Sequence, residues 1–143
     1  MSAMAEPHSS LSTTLAGVHL TGPLVSAAGT GGTATELADV LELADFGAVT
    51  TKSITPEPRA GNPAMRVADV PAGMLNAVGL MNMGVDSFLS GTVPSLEGHG
   101  TTFIGSVAGH SIEDYVRVAA AFDAVPVTLS LWIGAGSRSR TQR

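Results

Sequence analysis

Short apolar runs that end in glycine or proline turns alternate with stretches at helical spacing, and this alternation constrains the chain most. Residues 23–28 (PLVSAA) are a compact apolar run of the length of a buried strand, followed by the turn 29–33 (GTGGT). Residues 34–45 then place Leu37, Val40, Leu41 and Ala44 at the spacing of one helix face. Thr33 or Thr35 is the expected cap of that helix, with Glu36 and Asp39 at the positive end of its dipole. Residues 48–53 (AVTTKS) read as a second strand and residues 101–108 (TTFIGSVA) as a third. Ser111 caps a helix running through Phe122, and Asp114 stands where a capping box places its acid. Residues 125–133 read as a fourth strand. Such an order predicts a parallel α/β protein. The spacing does not decide whether the sheet closes into a barrel.

Two further stretches stand outside the alternation. Residues 11–20 form a short N-terminal hairpin around Ala16-Gly17. Residues 54–84, punctuated by proline and glycine, are too long for a simple connection, and such loops are functional or disordered; a helix is expected over 85–90.

Composition narrows the partners. The 143 residues suffice for one domain with a core, and 13% charged against 44% hydrophobic residues excludes a disordered composition. All 12 acidic residues lie at or before Asp123, while Arg138, Arg140 and Arg143 crowd the end. An acidic body without a basic stripe argues against nucleic acid. No apolar run approaches the ~20 residues of a membrane-spanning helix. Without cysteine there is no disulfide, thiolate metal site or cysteine nucleophile, which suits a cytoplasmic location. The four histidines show no metal-ligand spacing, so no metal is expected. Residues 1–10 read as a disordered leader, 11–133 as the folded domain, and 134–143 as a basic unstructured tail.

Two chemical features compete for the same turn. Gly29-Thr30-Gly31-Gly32-Thr33-Ala34 fits G-x-G-x-x-A between a strand and a helix, the context of a dinucleotide fingerprint. The acid expected at the end of the second strand is replaced by Lys52-Ser53, which would suit the 2′-phosphate of NADP. A tight turn without ligand is the alternative. Lys52, the chain's single lysine, sits at the carboxyl end of a strand. There it could hold an anionic group or stabilise charge on a reduced cofactor, or simply face solvent.

The long loop adds context. Residues 50–63 (TTKSITPEPRAGNP) and 72–80 (AGMLNAVGL), followed by Asn82 and Gly84, strongly resemble the soluble, class 1 dihydroorotate dehydrogenases. The similarity runs from about Leu11 to about Val125. It implies the N-terminal half of a (β/α)8 TIM barrel, with the hairpin before it and the long loop after strand 2. It also implies FMN as cofactor and the oxidation of dihydroorotate to orotate in pyrimidine biosynthesis. Lys52 would touch flavin and substrate, Ser53 would face the flavin, and Asn76 would hydrogen-bond the pyrimidine. The backbone at Val78, Gly79 and Leu80 would line that pocket. Ala27, Ala28 and Gly29 would lie under the flavin, with Ala28 where many relatives carry Ser. Ser106 would occupy a flavin-side position that is often Asn. Under this reading the Gly29–Ala34 turn follows the first barrel strand, and its Rossmann match is coincidental. Arg59, Gly61 and Asn62 would shape the loop, and Met74, Met81 and Met83 would serve packing.

The family's fourth strand ends in an Asn-x-Ser-Cys-Pro-Asn-like motif that supplies the proton-abstracting base. Here residues 128–136 read TLSLWIGAG, and Ser130 has no such motif around it. The expectation is a truncated or frameshifted relative without its catalytic base, inactive alone. A full barrel takes about 250 residues, so an open apolar sheet edge is expected to drive association. The partner would be a second copy or an electron-transfer subunit. Alternatives are an NADP-binding Rossmann domain and a non-catalytic interaction module.

Overall fold

The computed structural model describes residues 11–125 and the backbone of residues 129–133. The expectations for residues 1–10 and 134–143, and for the Ser130 side chain, lie outside the described residues. In chain order the elements are β1 (Thr13–Leu15), β2 (Val18–Leu20), α1 (Thr35–Ala38), β3 (Ala48–Thr50), β4 (Val67–Val70) and β5 (Gly73–Asn76). They continue with α2 (Val85–Ser87), α3 (Val93–Leu96), β6 (Thr102–Val107), α4 (Ile112–Asp123) and β7 (Leu129–Ile133). A 3-10 turn covers Leu43–Asp45, and a π-helical turn, Phe88–Thr92, joins α2 to α3.

The fold is α/β, built on a parallel sheet in the order β3-β6-β7. A bridge from Val25 to Ala48 adds the chain before β3 as a parallel neighbour on its other side. β3 and β6 are covered on both faces, as parallel strands in α/β folds are. Successive side chains point to opposite faces. Val49 and Phe103 therefore enter the main core with Phe88, Val118 and Phe122, while Ala48 and Ile104 pack on Leu20 of the hairpin. The rings of Phe88 and Phe122 lie 5.5 Å apart at 44°.

Local signals hold where chemistry dictates the backbone. The β1–β2 hairpin turns at Ala16 (φ 49°) and Gly17 (φ 85°), the left-handed pair that a two-residue turn between twisted strands requires. Ser111 caps α4 by accepting the Asp114 N–H, and the Asp114 carboxylate reaches back to the Ser111 N–H. The helix inserts Val118 and Phe122, one turn apart, into the core. Pro94, near the start of α3, has no amide hydrogen to return to Ser90, and the widened turn lies immediately before it.

Four expectations are corrected. The run 23–28 is not a buried strand: Leu24 is 55% and Val25 38% exposed, with pairing to β3 alone among the described residues. The helix expected over 34–45 is only α1, because the chain turns at Asp39–Val40 and leaves Val40 and Leu41 exposed. Neither Thr33 nor Thr35 caps it; the N-cap is Ala34 at φ 86°. The loop 54–84 contains the antiparallel pair β4–β5, which leaves Met74 63% exposed, with Met81 and Met83 also exposed. These methionines are not core packing.

Candidate functional site

The carboxyl ends of the parallel strands open into a cavity of about 750 Å³. Its wall is formed by Ala28, Gly29 and Thr30 after the first run, Lys52 and Ser53 after β3, and His110 after β6. The long loop closes it with Arg59, Asn62 and residues 76–80. Parallel sheets gather the loops of successive strands at this end, so residues distant in sequence converge there.

Pairing between β3 and β6 outlasts the regular strands and carries Lys52 and Ser53 to the rim. Thr51 N–H donates to Ile104 O at 3.0 Å, Ile54 N–H to Ser106 O at 2.9 Å, and Ala108 N–H to Ile54 O at 2.9 Å. Lys52 N–H donates to Gly32 O at 2.8 Å, tying the strand end to the glycine turn. The Lys52 Nζ lies 4.0 Å from where a Cβ on Gly29 would stand. That ammonium is half-buried and has no hydrogen bond or ion pair to a described residue. Below the rim Ser53 Oγ meets Ser106 Oγ at 2.8 Å, with Ser106 fully buried.

The loop holds the far wall by its carbonyl groups. Asn62 Nδ2 donates to Ala77 O at 2.9 Å and Asn62 N–H to Val78 O at 3.0 Å. Arg59 Nε donates to Gly79 O at 3.4 Å and Asn82 Nδ2 to Leu80 O at 2.8 Å. With these carbonyls engaged, the N–H groups of Val78, Gly79 and Leu80 are left without a bond to any described residue. Gly79 (φ 79°) and Leu80 (φ 55°) are both left-handed. The lining residues include Lys52, Arg59 and His110 and no carboxylate. The site is therefore rich in donors and suited to a flat, acceptor-rich anion, at a volume typical of small-molecule sites (about 300–1,000 Å³).

The glycine turn is differently furnished. Glu36 Oε2 accepts from Thr33 N–H at 2.9 Å, Thr33 Oγ1 at 2.8 Å and Thr35 Oγ1 at 3.1 Å. Burial works to raise the Glu36 carboxyl, but hydrogen bonds from its own amide, the Thr33 hydroxyl and the Thr33 amide outweigh it and hold it low. A carboxylate thus satisfies the donors of the glycine turn. A Cβ on Gly32 would lie 2.5 Å from the Glu36 Cδ.

Of the residues singled out in the sequence, Ala28, Gly29, Lys52, Ser53, Asn76, Val78, Gly79 and Leu80 share this one cavity. Ser106 does not reach its wall and stands behind Ser53. Thr30, Arg59, Asn62, Ala77 and His110 join the wall without having been assigned a ligand-facing place. The long loop was the available signal for Arg59 and Asn62. Nothing in the sequence placed His110 beside Arg59, 51 positions away, with Arg59 Nη1 donating to His110 Nε2 at 2.7 Å.

Among the described residues no helix is long and apolar enough to cross a membrane. Comparison with known proteins gives a consistent answer. The family model for dihydroorotate dehydrogenase matches residues 10–134. The catalytic subunit of dihydroorotate dehydrogenase B (NAD(+)) from Geotalea uraniireducens (strain Rf4) is 40% identical over 121 residues, covering 85% of this chain and 40% of that protein. The same-named subunit from Geotalea daltonii is 38% identical over 128 residues, covering 90% of this chain and 41% of that one. The one from Alkaliphilus metalliredigens is 43% identical over 104 residues, covering 73% and 34%. The chain thus spans about two fifths of the length of such relatives. A crystal structure of DHODH in complex with ferulenol from Eimeria tenella superposes with a TM-score of 0.57 at 22% identity, covering 80% of this chain and 34% of that one, a likeness of fold. By the family match and the agreement of these relatives, the chain belongs to the dihydroorotate dehydrogenase family.

Proposed function

We propose that the chain carries the FMN- and orotate-binding face of a dihydroorotate dehydrogenase, on the N-terminal half of a (β/α)8 barrel. The observation that carries this reading is the cavity whose wall brings together Lys52, Asn76 and the segment Val78, Gly79 and Leu80. Orotate is flat, anionic and edged with hydrogen-bonding groups. The Asn76 amide offers one donor and one acceptor to such an edge, and the Gly79–Leu80 turn with Lys52 takes the carboxylate.

The same cavity fits FMN on the side of Ala28, Gly29 and Ser53. Gly29 lacks the Cβ that would stand against Lys52 Nζ, so a planar group can approach the backbone there. Ser53 presents a hydroxyl that Ser106 orients from behind. Bound FMN supplies the hydride acceptor for oxidation of the substrate's carbon–carbon bond. Lys52 holds the anionic end of the substrate and balances negative charge gathering between ligand and cofactor. Asn76 fixes the ring in its plane. The segment expected to supply the proton-abstracting base lies outside the residues whose side chains are described, and binding is the role proposed for these lining residues. A partner subunit that carries electrons onward, as the relatives' description as catalytic subunits suggests, is part of this reading.

Titration of the full chain with FMN and then orotate, followed by flavin fluorescence, tests it. Saturable binding of both, lost in Lys52→Ala, is expected. Binding of NADPH in their place would favour a nucleotide-binding domain, and stable association without any ligand a non-catalytic module; either would overturn the reading.

A further inference from the structure

Arg59 and His110 form a side-chain contact on the cavity wall that the proposed chemistry leaves unused. The two come from different loops: Arg59 from the segment after β3, His110 from the turn between β6 and α4. Each is anchored through its backbone. Arg59 N–H donates to Asn82 O at 2.9 Å, and Asn82 N–H returns to Arg59 O at 3.0 Å. His110 N–H donates to Asp114 Oδ2 at 2.8 Å, inside the capping box of α4. The side chains then meet at 2.7 Å, Nη1 to Nε2.

Chemistry fixes the roles in that contact. A guanidinium can only donate, so in this hydrogen bond Nε2 is the acceptor. The other arm of the guanidinium, Nε, donates to Gly79 O at 3.4 Å. A long arginine side chain loses considerable rotamer freedom when held in one place, and the 3.4 Å bond is a weak restraint by itself. The charge-assisted bond to His110 is the stronger of the two.

We propose that His110 is a positioning residue: its Nε2 holds the Arg59 guanidinium against the Gly79 carbonyl and so keeps the backbone of residues 78–80 in place on the cavity wall. His110 itself contacts no reacting atom. The arrangement couples the N-terminus of α4 to the ligand wall through a single side-chain pair. In its ligand-binding consequence the inference rests on the reading of the site as an orotate pocket; the pairing itself does not.

The test separates the two. His110 is exposed, so substitution leaves the core intact. His110→Leu removes the acceptor, whereas His110→Gln restores an oxygen near the position of Nε2. In the ligand-free full chain, the 15N resonance of Arg59 Nε is read by NMR in all three proteins. Its signal should be slow to exchange in the parent and in His110→Gln, and fast in His110→Leu. An Arg59 signal unchanged by His110→Leu overturns the inference whether or not any ligand binds. Orotate affinity should fall about tenfold in His110→Leu, the lower end for loss of one charge-assisted hydrogen bond, and return in His110→Gln. A parent that binds orotate and a His110→Leu that binds it equally well would also overturn the inference. Absence of orotate binding in the parent defeats the pocket assignment, while the NMR comparison still decides the pairing.

Discussion

Replacing Gly79 by alanine tests whether the far wall of the cavity depends on backbone geometry. Two costs can be read from the structure. At φ 79° an L side chain is strained, costing about 1–2 kcal/mol. In addition, the new Cβ would lie 2.7 Å from the Asn62 backbone N and 2.9 Å from Asn62 Cγ and Oδ1. Rotating the Asn62 side chain cannot relieve a clash with its backbone, so the loop must withdraw. Withdrawal breaks Asn62 N–H to Val78 O and Asn62 Nδ2 to Ala77 O, each worth about 1 kcal/mol. The expected total is about 3 kcal/mol of destabilisation. Gly17→Ala is the control, since Gly17 has φ +85° and nothing within 4 Å of its Cβ position. It carries the strain without the clash and should cost about 1 kcal/mol. Urea denaturation should therefore rank Gly79→Ala below Gly17→Ala by about 2 kcal/mol. If the segment opens instead of transmitting the strain, limited proteolysis should cut between residues 61 and 80 in Gly79→Ala alone. Equal stability together with equal resistance to protease in the two variants would refute the packing argument.

Other expectations follow from the core, the cap and the paired hydroxyls. Phe88, fully buried against Phe122, should cost about 3–5 kcal/mol when replaced by alanine, measured by urea denaturation; a loss under 1 kcal/mol would mean the two rings do not share a core. Ser53→Ala leaves the buried Ser106 hydroxyl without that partner and should destabilise by about 1–3 kcal/mol, with much of the loss recovered in Ser53→Ala/Ser106→Ala. Additive effects in that cycle would show the hydroxyls to be independent. Ser111→Ala should lower stability by about 1 kcal/mol through loss of the helix cap, seen as a reduced thermal midpoint. The His110 amide, with the Ser111 amide and hydroxyl, holds the Asp114 carboxyl below its ordinary value of 3.8 despite an opposing desolvation contribution. Its folded-state value being the lower one, the stabilisation is complete above that ordinary value and is lost as pH falls through the depressed one. Asp114→Ala should flatten that acid limb in a pH series of thermal midpoints, and an unchanged limb would place the titration elsewhere.

Local chemistry was legible in the residues themselves. Ala16-Gly17 turns β1 back on β2, and Ser111 and Asp114 form the cap of α4. The long loop announced that its residues served a site, and its two motifs carried the family. Elements that depend on their neighbours were not legible. The helix expected through Asp45 ends at Ala38, and the apolar run 23–28 is exposed. Periodicity records a hydrophobic face without recording whether anything packs on it. The β4–β5 pair hides within a loop because its exposed strands bury no face that would produce a pattern. By itself the sequence determined a parallel α/β order and the motifs that the family shares, and it singled out Lys52 and Asn76, which the structure brings to one cavity. Tertiary structure alone decided that Ser106 stands behind Ser53 and that Arg59 meets His110. Each is a contact between side chains whose reach and direction depend on how the strand ends are brought together, and hydrogen bonds of that length are set by distances in space that sequence separation does not encode.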